Sequence, residues 1–197
     1  MKVEDTAKKS QYFFMKYSKR YAIIFSNNNE EEVKNLSPNY ERLKMIVCVG
    51  ENNLIGDKDP SGNGLLWHSK EELLYYKSIT TGQVTLFGEN TAKFVPIHLM
   101  KKTREVLILT MDSNIEDILQ QYPEKDVFLC GGATIYRYYL EHYPIAQVYV
   151  SKLKKHVEVA EAKNPLYFPD LESLGYVCVK ETEYEDFIAC IYEKKRA

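Results

Sequence analysis

The chain of 197 residues lacks most of the features that assign a protein to a class at once. No apolar run approaches the roughly 20 residues that a membrane-spanning helix needs. The formal net charge is only -2, so no basic excess indicates a nucleic acid or an anionic membrane as a partner. There is no P-loop, no G-x-S-x-G motif and no G-x-G-x-x-G motif, which disfavours a conventional Rossmann dinucleotide-binding domain.

The chain has only four cysteines, and their spacing indicates no disulfide bond. Cys48, Cys130, Cys178 and Cys190 are far apart, and each lies within or at the end of a strand-like apolar run. This pattern favours buried free thiols in a reducing compartment over a disulfide or a metal site. The histidines have no metal-ligand spacing, so we expect no metal. An apolar run at 21–25 is followed by polar residues rather than a cleavage site, and we expect a cytoplasmic protein without a signal peptide.

The composition and the hydrophobic pattern of the sequence change at about residue 45. Residues 1–44 combine aromatic and basic residues with a triple Asn and a triple Glu, and form an extension of unknown role. Its aromatic content predicts that it packs on the main domain, where it would either cover a cleft or make a dimer. Monomer and dimer therefore both stay open. Residues 45–197 have the pattern of one α/β domain.

From residue 45 onward, short apolar runs alternate with segments of helical length and periodicity. We expect strands at 45–49, 83–87, 106–110, 126–130, 147–153, 176–183 and 187–194, and helices at 69–80, 90–100, 114–121 and 133–143. The alternation predicts an α/β fold with a mostly parallel central sheet of about eight strands, flanked by helices. The last two strands are joined by a short polar link, which predicts an antiparallel C-terminal hairpin.

The most informative single feature is an acidic residue on the aromatic face of a predicted helix. Glu72 and Tyr76 are four residues apart and share that face, with Trp67 shortly before them. A carboxylate among apolar neighbours is costly, so a Glu72 that lines a cleft is a candidate binding or proton-transfer group. The alternative is a solvated helix with ordinary surface glutamates. Ser69 and Glu72 form a capping-box pattern at the helix start.

Three strand ends carry glycine, and ligands of open α/β sheets bind outside the carboxyl ends of the strands. The loop from Gly56 to Gly64 contains three glycines and a proline, and is either a mobile lid or a plain surface loop. Gly88 ends one strand, and the pair Gly131-Gly132 ends another. Each leads into a predicted helix whose free N–H groups suit a phosphate, although many ordinary strand-to-helix turns look the same.

The motifs of residues 45–197 resemble those of dihydrofolate reductase in order and spacing. They are Met45–Gly56, Trp67-x4-Glu72-x3-Tyr76-Lys77-x2-Thr80, Val84–Thr91, Arg104 before the strand at 106–110, Cys130-Gly131-Gly132-x2-Ile135-Tyr136, Tyr149-Val150-Ser151 and Tyr167-Phe168-Pro169. Each motif is modest alone, but their ordered conjunction is specific. The resemblance implies reduction of 7,8-dihydrofolate to 5,6,7,8-tetrahydrofolate with NADPH, by hydride transfer to C6 and protonation at N5, and binding of antifolate inhibitors.

The resemblance also implies roles for individual residues. Glu72 would be the catalytic acid and hold the 2-amino group and N3 of the pterin, and Trp67 would support the substrate and an ordered water. Glu71 is the rival for the acid role. Gly131-Gly132 would form a cis peptide bond. The substrate-binding residues would be Ile46, Val47, Cys48, Tyr76, Val95, Arg104, Cys130, Tyr136 and Ser151. The cofactor-binding residues would be Cys48, Ile55, Gly56, Gly88, Glu89, Asn90, Thr91, Leu109, Thr110, Gly131, Gly132, Ala133, Thr134 and Ile135.

Some positions depart from the family pattern. Glu89 and Thr134 stand where many members have basic residues near the 2′-phosphate of the cofactor, so NADH is possible unless Lys93 or another base supplies the charge. Residues 98–103 replace a proline-rich stretch before Arg104, which would change the benzoyl-glutamate groove and antifolate binding. Two other functions stay open. One is reduction of another pterin or a pyrimidine, as in riboflavin biosynthesis, and the other is non-catalytic binding of folate or a nucleotide.

Overall fold

A computed structural model describes residues 38–60 and 64–195. Residues 1–37, most of the predicted extension, and residues 61–63, in the predicted lid, lie outside the described residues. The strands are β1 (Leu43–Val49), β2 (Leu54–Asp57), β3 (Val84–Gly88), β4 (Glu105–Leu109), β5 (Val127–Leu129), β6 (Gln147–Leu153), β7 (Pro165–Tyr167), β8 (Tyr176–Glu183) and β9 (Phe187–Lys194). The helices are α1 (Lys70–Thr80), α2 (Glu89–Ala92), α3 (Ile97–Met100), α4 (Ile115–Gln121) and α5 (Ala133–His142).

Seven of these strands form one mixed sheet in the order β4-β3-β5-β1-β6-β9-β8. The four pairs from β4 to β6 are parallel, whereas β6–β9 and β8–β9 are antiparallel. The predicted mostly parallel sheet with an antiparallel C-terminal hairpin is therefore confirmed, with seven strands in the main sheet against about eight expected. β2 and β7 form a separate antiparallel ribbon. The parallel arrangement brings the carboxyl ends of β1, β3, β5 and β6 to one edge.

The core is built around β1, which lies between β5 and β6. Consecutive residues Met45 and Ile46 are 0% and 2% exposed, so both faces of this strand are covered, as an inner parallel strand requires. Burial of this apolar surface is the main favourable contribution to folding. Helix α5 buries one stripe of its surface, spaced three and four residues apart, made of Tyr136, Tyr139 and Leu140.

The helix predicted over 90–100 is instead two short helices, α2 and α3. Pro96 explains the break, because its nitrogen carries no hydrogen to donate and its ring disfavours helical geometry at Val95. Pro96 has ψ 66°, outside the helical region, and α3 begins at the next residue. The periodicity of this segment was therefore a correct indication of helix but not of its continuity.

All four cysteines are unpaired, as predicted, but of the four only Cys190 is buried: Cys48 and Cys130 are half-buried and Cys178 is exposed. It lies on β8, the outer strand of the sheet, where Tyr176 is the buried residue. An apolar run on an edge strand is a poor guide to burial, because no further strand or helix need cover it. Among the described residues, no helix is both long and apolar enough to cross a membrane.

Candidate active site

Glu72 sits in the first turn of α1, with only 8% of its surface exposed. The helix starts there because Ser69 caps it: the Glu72 N–H donates to Ser69 Oγ at 3.1 Å. The Ser69 hydroxyl donates in turn to Asp186 Oδ2 at 2.6 Å, which ties the start of α1 to the turn between β8 and β9. The Glu72 carboxyl is therefore held on a rigid helix start rather than on a loop.

The surroundings of Glu72 are apolar enough to disturb its ionisation. Burial raises the pKa of Glu72, and the Ser151 hydroxyl acts in the opposite direction. Ser151 is buried on β6 beside Cys48 of β1, and its hydroxyl has no hydrogen bond of ordinary geometry with any described residue. The pKa of Cys48 is raised, first by burial and second by the negative charge of Glu72. Trp67 forms a hydrogen bond with the Cys48 thiol, which acts in the opposite direction. These four side chains therefore form one group.

Glu71, the rival for the acid role, faces another direction. Its carboxylate accepts a hydrogen bond from the backbone N–H of Asp186 at 3.0 Å. Consecutive helical residues point about 100° apart, so one of the two glutamates faces the hairpin turn while the other faces the sheet. Geometry assigns the buried position beside Ser151 to Glu72.

An aromatic and apolar wall lies one helical turn further along α1. Tyr76 and Val95 pack against the small core cluster of Phe87, Met100 and Val106. The Tyr76 hydroxyl is buried without an ordinary hydrogen bond to a described residue, and its polar neighbour is the Cys130 thiol, which is a weak partner. Burial raises the pKa of Tyr76 well above its usual value and that of Cys130 to about 12, so both are neutral at physiological pH.

Arg104 closes the far end of this wall. It is 8% exposed, donates to Thr80 Oγ1, and places its guanidinium carbon 5.4 Å from the centre of the Tyr76 ring. No described acidic residue forms an ion pair with it. A nearly buried cation without an acidic partner is costly for the fold and is therefore suited to receive an external anion.

The glycines at the ends of β3 and β5 meet at the same edge. The Gly88 N–H donates to the Gly131 carbonyl at 2.8 Å, and Gly131-Gly132 is a cis peptide bond, as predicted. A Cβ on Gly132 would lie 2.7 Å from Thr91 Oγ1, and one on Gly88 would lie 2.9 Å from the Ile135 side chain. A side chain at either position would force its neighbour to move. Gly132 caps α5 without a side-chain hydrogen bond, which leaves N–H groups free for an anion.

The comparison with known proteins decides the family. The family model described as dihydrofolate reductase matches residues 42–187 of this chain. The chain belongs to the dihydrofolate reductase family. Its dihydrofolate reductase relative from Mycoplasma genitalium is 27% identical over 172 residues, covering 78% of this chain and 99% of that protein. The Bacillus subtilis dihydrofolate reductase is 26% identical over 173 residues, covering 79% and 96%, and Haloferax volcanii dihydrofolate reductase HdrB is 23% identical, covering 79% and 84%.

Other residues that the family resemblance implicates line the same edge. Ile46 and Val47 are buried, and the Ile46 carbonyl accepts a hydrogen bond from the Tyr136 hydroxyl at 2.8 Å. Leu109 ends β4, next to Gly88 of β3 in the sheet, and Thr110 follows it directly. The remaining implicated residues occupy α2, the start of α5 and the β2 ribbon: Glu89, Asn90 and Thr91; Ala133, Thr134 and Ile135; Ile55 and Gly56.

A family assignment also implies a nicotinamide cofactor, and the glycine edge fits one. The close approach of β3 and β5, without Cβ atoms, leaves backbone N–H groups and the start of α5 accessible to a pyrophosphate. On α2, Glu89 is exposed, and the Lys93 ammonium donates to Asn90 Oδ1 at 3.0 Å. One acidic side chain thus lies at the start of α2 and one basic side chain at its end.

Sequence reasoning missed the groups that hold the catalytic side chains. Thr80 is fully buried and binds Arg104, and a threonine at the end of an amphipathic helix gave no sign of this. Asp186 binds Ser69, which lies 117 residues earlier in the chain, so no local pattern connects them. Two surface cavities of about 210 and 240 Å³ lie elsewhere, around Phe168 and around Tyr184, and contain none of the implicated residues.

Proposed function

We propose that this chain reduces 7,8-dihydrofolate to 5,6,7,8-tetrahydrofolate, taking a hydride from NADPH to C6 and a proton to N5. The observation that carries the proposal is the buried Glu72 carboxyl, held by a capped helix start between Trp67 and Ser151 at the carboxyl edge of a parallel sheet. A buried carboxyl with a raised pKa, at the edge where the parallel strands end, is a candidate for proton exchange. Relatives named as dihydrofolate reductases, similar over most of the chain, support the choice of substrate.

Glu72 is the group that binds the pterin and supplies the proton. Its carboxylate accepts hydrogen bonds from the 2-amino group and N3 of the substrate, which fixes the ring against β1. Because burial raises its pKa, the carboxyl holds a proton at a higher pH than an exposed glutamate does. The proton reaches N5 through water or through the enol form of the pterin. The Ser151 hydroxyl, with no ordinary partner among the described residues, is available to orient the carboxyl.

The wall from Tyr76 to Arg104 matches the rest of the substrate. Tyr76 and Val95 present apolar surface to the pterin and the benzoyl spacer. Arg104 offers a rigid fork of N–H donors, with no competing acid among the described residues, which suits bidentate binding of a carboxylate on the glutamate tail. The spacing along α1 supports this order, because Glu72, Tyr76 and Thr80 follow one another on one face of the helix.

The nicotinamide cofactor, when bound, supplies the hydride, and the chain orients it at the glycine edge. Gly88, Gly131 and Gly132 allow close approach of the backbone, and the N–H groups at the start of α5 bind the pyrophosphate. NADPH is the proposed cofactor, because Lys93, at the end of α2, offers a positive charge for its 2′-phosphate, and the exposed Glu89 can turn into solvent. Glu89 reduces the preference for NADPH over NADH compared with a basic residue at that position.

The cellular setting is proposed on chemical grounds. Four unpaired thiols, one of them exposed, support a reducing compartment such as the cytoplasm. Antifolates that mimic the pterin are the proposed inhibitors, since Glu72 binds a protonated pteridine at least as well as the substrate. Trp67 is the sole tryptophan and lies against Gly50, so quenching of its fluorescence reports occupancy of the pterin site.

The test is turnover by the purified full chain, followed by loss of the absorbance of the reduced nicotinamide. We expect oxidation of NADPH that depends on dihydrofolate, with a smaller kcat/KM for NADH. Trp67 quenching by methotrexate is measured on the same sample. Quenching without turnover would mean that the protein binds folates but does not reduce them. If a folded protein shows neither quenching nor turnover, folate is not its ligand. Turnover only with another pterin or a pyrimidine would reassign the substrate.

A further inference from the structure

A second group of possible ligands lies outside the active site, on the C-terminal hairpin of β8 and β9. The Sγ atoms of Cys178 and Cys190 and a carboxylate oxygen of Glu181 all lie within 4.8 Å of one another. Glu181 Oε1 is 3.8 Å from Cys178 Sγ and 3.7 Å from Cys190 Sγ. None of these residues belongs to the group around Glu72, so hydride transfer to folate does not explain their convergence.

The backbone of β8 is bent so that two of these side chains face the same way. Side chains alternate along a regular strand, so Cys178 and Glu181, three residues apart, would point to opposite faces. The register with β9 shifts between Cys178 and Lys180, so that Cys178 lies opposite Tyr192 and Glu181 lies opposite Cys190. This bulge adds one residue and brings both side chains to one face, which is how bulges re-aim side chains.

The separations match those of a tetrahedral metal site. With Zn–S and Zn–O bonds of about 2.3 and 2.0 Å, tetrahedral angles put a sulfur and an oxygen ligand about 3.5 Å apart. The two S···O distances, 3.8 and 3.7 Å, exceed this by only a few tenths of an ångström. Cys178 and Glu181 are exposed, so an ion can enter from solvent and keep a water as its fourth ligand.

We propose that Cys178, Glu181 and Cys190 form a binding site for a thiophilic divalent cation of the Zn²⁺ type. Two thiolates select such ions over Mg²⁺ and Ca²⁺, which prefer oxygen ligands. A divalent ion with two thiolates and one carboxylate carries one net negative charge, and Lys152 on the neighbouring β6 acts on Cys190 with a compensating positive charge. The bound ion cross-links β8, the outer strand of the sheet, to β9.

The test is titration of the full chain, reduced and freed of metal, with Co²⁺ as a spectroscopic substitute for Zn²⁺. We expect one equivalent to produce the charge-transfer absorption of thiolate ligands and the visible bands of a tetrahedral ion. Cys178→Ser should remove tight binding, and Glu181→Gln should weaken it by at least about tenfold. Glu183→Gln, a matched change at an exposed glutamate of the same strand, should bind like the wild type.

A second readout uses stability. Zn²⁺ should raise the thermal unfolding midpoint of the wild type but not of Cys178→Ser, because a ligand that binds only the folded state stabilises it by an amount that grows with the logarithm of the ratio of ligand concentration to Kd. Circular dichroism checks that each variant folds, and Cys178 is exposed, so serine is accommodated there. The proposal is wrong if folded, reduced wild type binds no Co²⁺. It is also wrong if the thiolate band keeps its full intensity in Cys178→Ser, since Cys178 would then not be a ligand.

Discussion

Replacing Arg104 by glutamine should separate binding of the substrate tail from the chemical step. The guanidinium is nearly buried, is held by Thr80 and the Tyr76 ring, and has no acidic partner among the described residues. Hydrogen bonds to charged groups contribute about 1.5–3 kcal/mol, and about 1.4 kcal/mol corresponds to a factor of ten. We therefore expect Arg104→Gln to raise KM for dihydrofolate by about 10- to 150-fold while kcat changes little.

The assay is the initial rate of NADPH oxidation at varied dihydrofolate, run beside a dihydropterin that lacks the benzoyl-glutamate tail. The variant should handle the tail-less substrate like the wild type, because the contact that it loses is made only with the tail. Arg137→Gln, at an exposed arginine on α5, is the matched control and should change neither constant. Equal losses on both substrates, or a fall in kcat with KM unchanged, would refute a tail-binding role for Arg104.

Three further changes test the surroundings of the site. Glu72→Gln should raise the free energy of unfolding at neutral pH, because burial raises the pKa of Glu72 and makes its ionised form costly in the folded state. This gain in stability should shrink as the pH falls through the raised pKa of Glu72, and vanish below the ordinary pKa of a glutamate carboxyl. Thermal unfolding of the wild type and the variant at a series of pH values measures the gain. A gain that does not depend on pH would contradict the prediction. Glu89→Lys should increase the kcat/KM ratio of NADPH to NADH by about tenfold or more, and an unchanged ratio would place the 2′-phosphate elsewhere. Gly132→Ala puts a Cβ 2.7 Å from Thr91 Oγ1 and should cost about 1–3 kcal/mol in urea unfolding. Adding Thr91→Ala should restore most of the lost stability. If it does not, the added methyl group clashes with an atom other than Thr91 Oγ1.

The fold was largely predictable because its signals are local. The alternation of apolar runs with helical segments indicated the α/β sheet, and Ser69 with Glu72 marked the start of α1. The break at Pro96 was also a local signal, and the longer periodic pattern around it was given too much weight. The exposure of Cys178 could not be predicted from local sequence, since it depends on β8 being an outer strand among the described residues.

The sequence predicted which chemical groups form the candidate site, but not which residues hold those groups in place. The spacing of Trp67, Glu72 and Tyr76 indicated an acid on an aromatic face, and glycine pairs indicated close backbone approach. The pairing of Cys48 with Ser151 depends on strand order, which places β6 beside β1 across a hundred residues of chain. The contact of Ser69 with Asp186 and the β8 bulge depend on the same long-range register, which no window of sequence contains.

The measurement that tests the central proposal most directly compares Glu72→Gln with its neighbour Glu71→Gln in steady-state and single-turnover reduction of dihydrofolate. The two side chains differ by one position, yet one is buried beside Ser151 and the other binds the Asp186 backbone. We expect Glu72→Gln to lower the rate by about 10²- to 10⁴-fold at neutral pH, with a smaller deficit in acid, and Glu71→Gln to keep most of it. Full activity in Glu72→Gln, or an equal loss in both variants, would contradict the role of Glu72 as the proton-delivering acid.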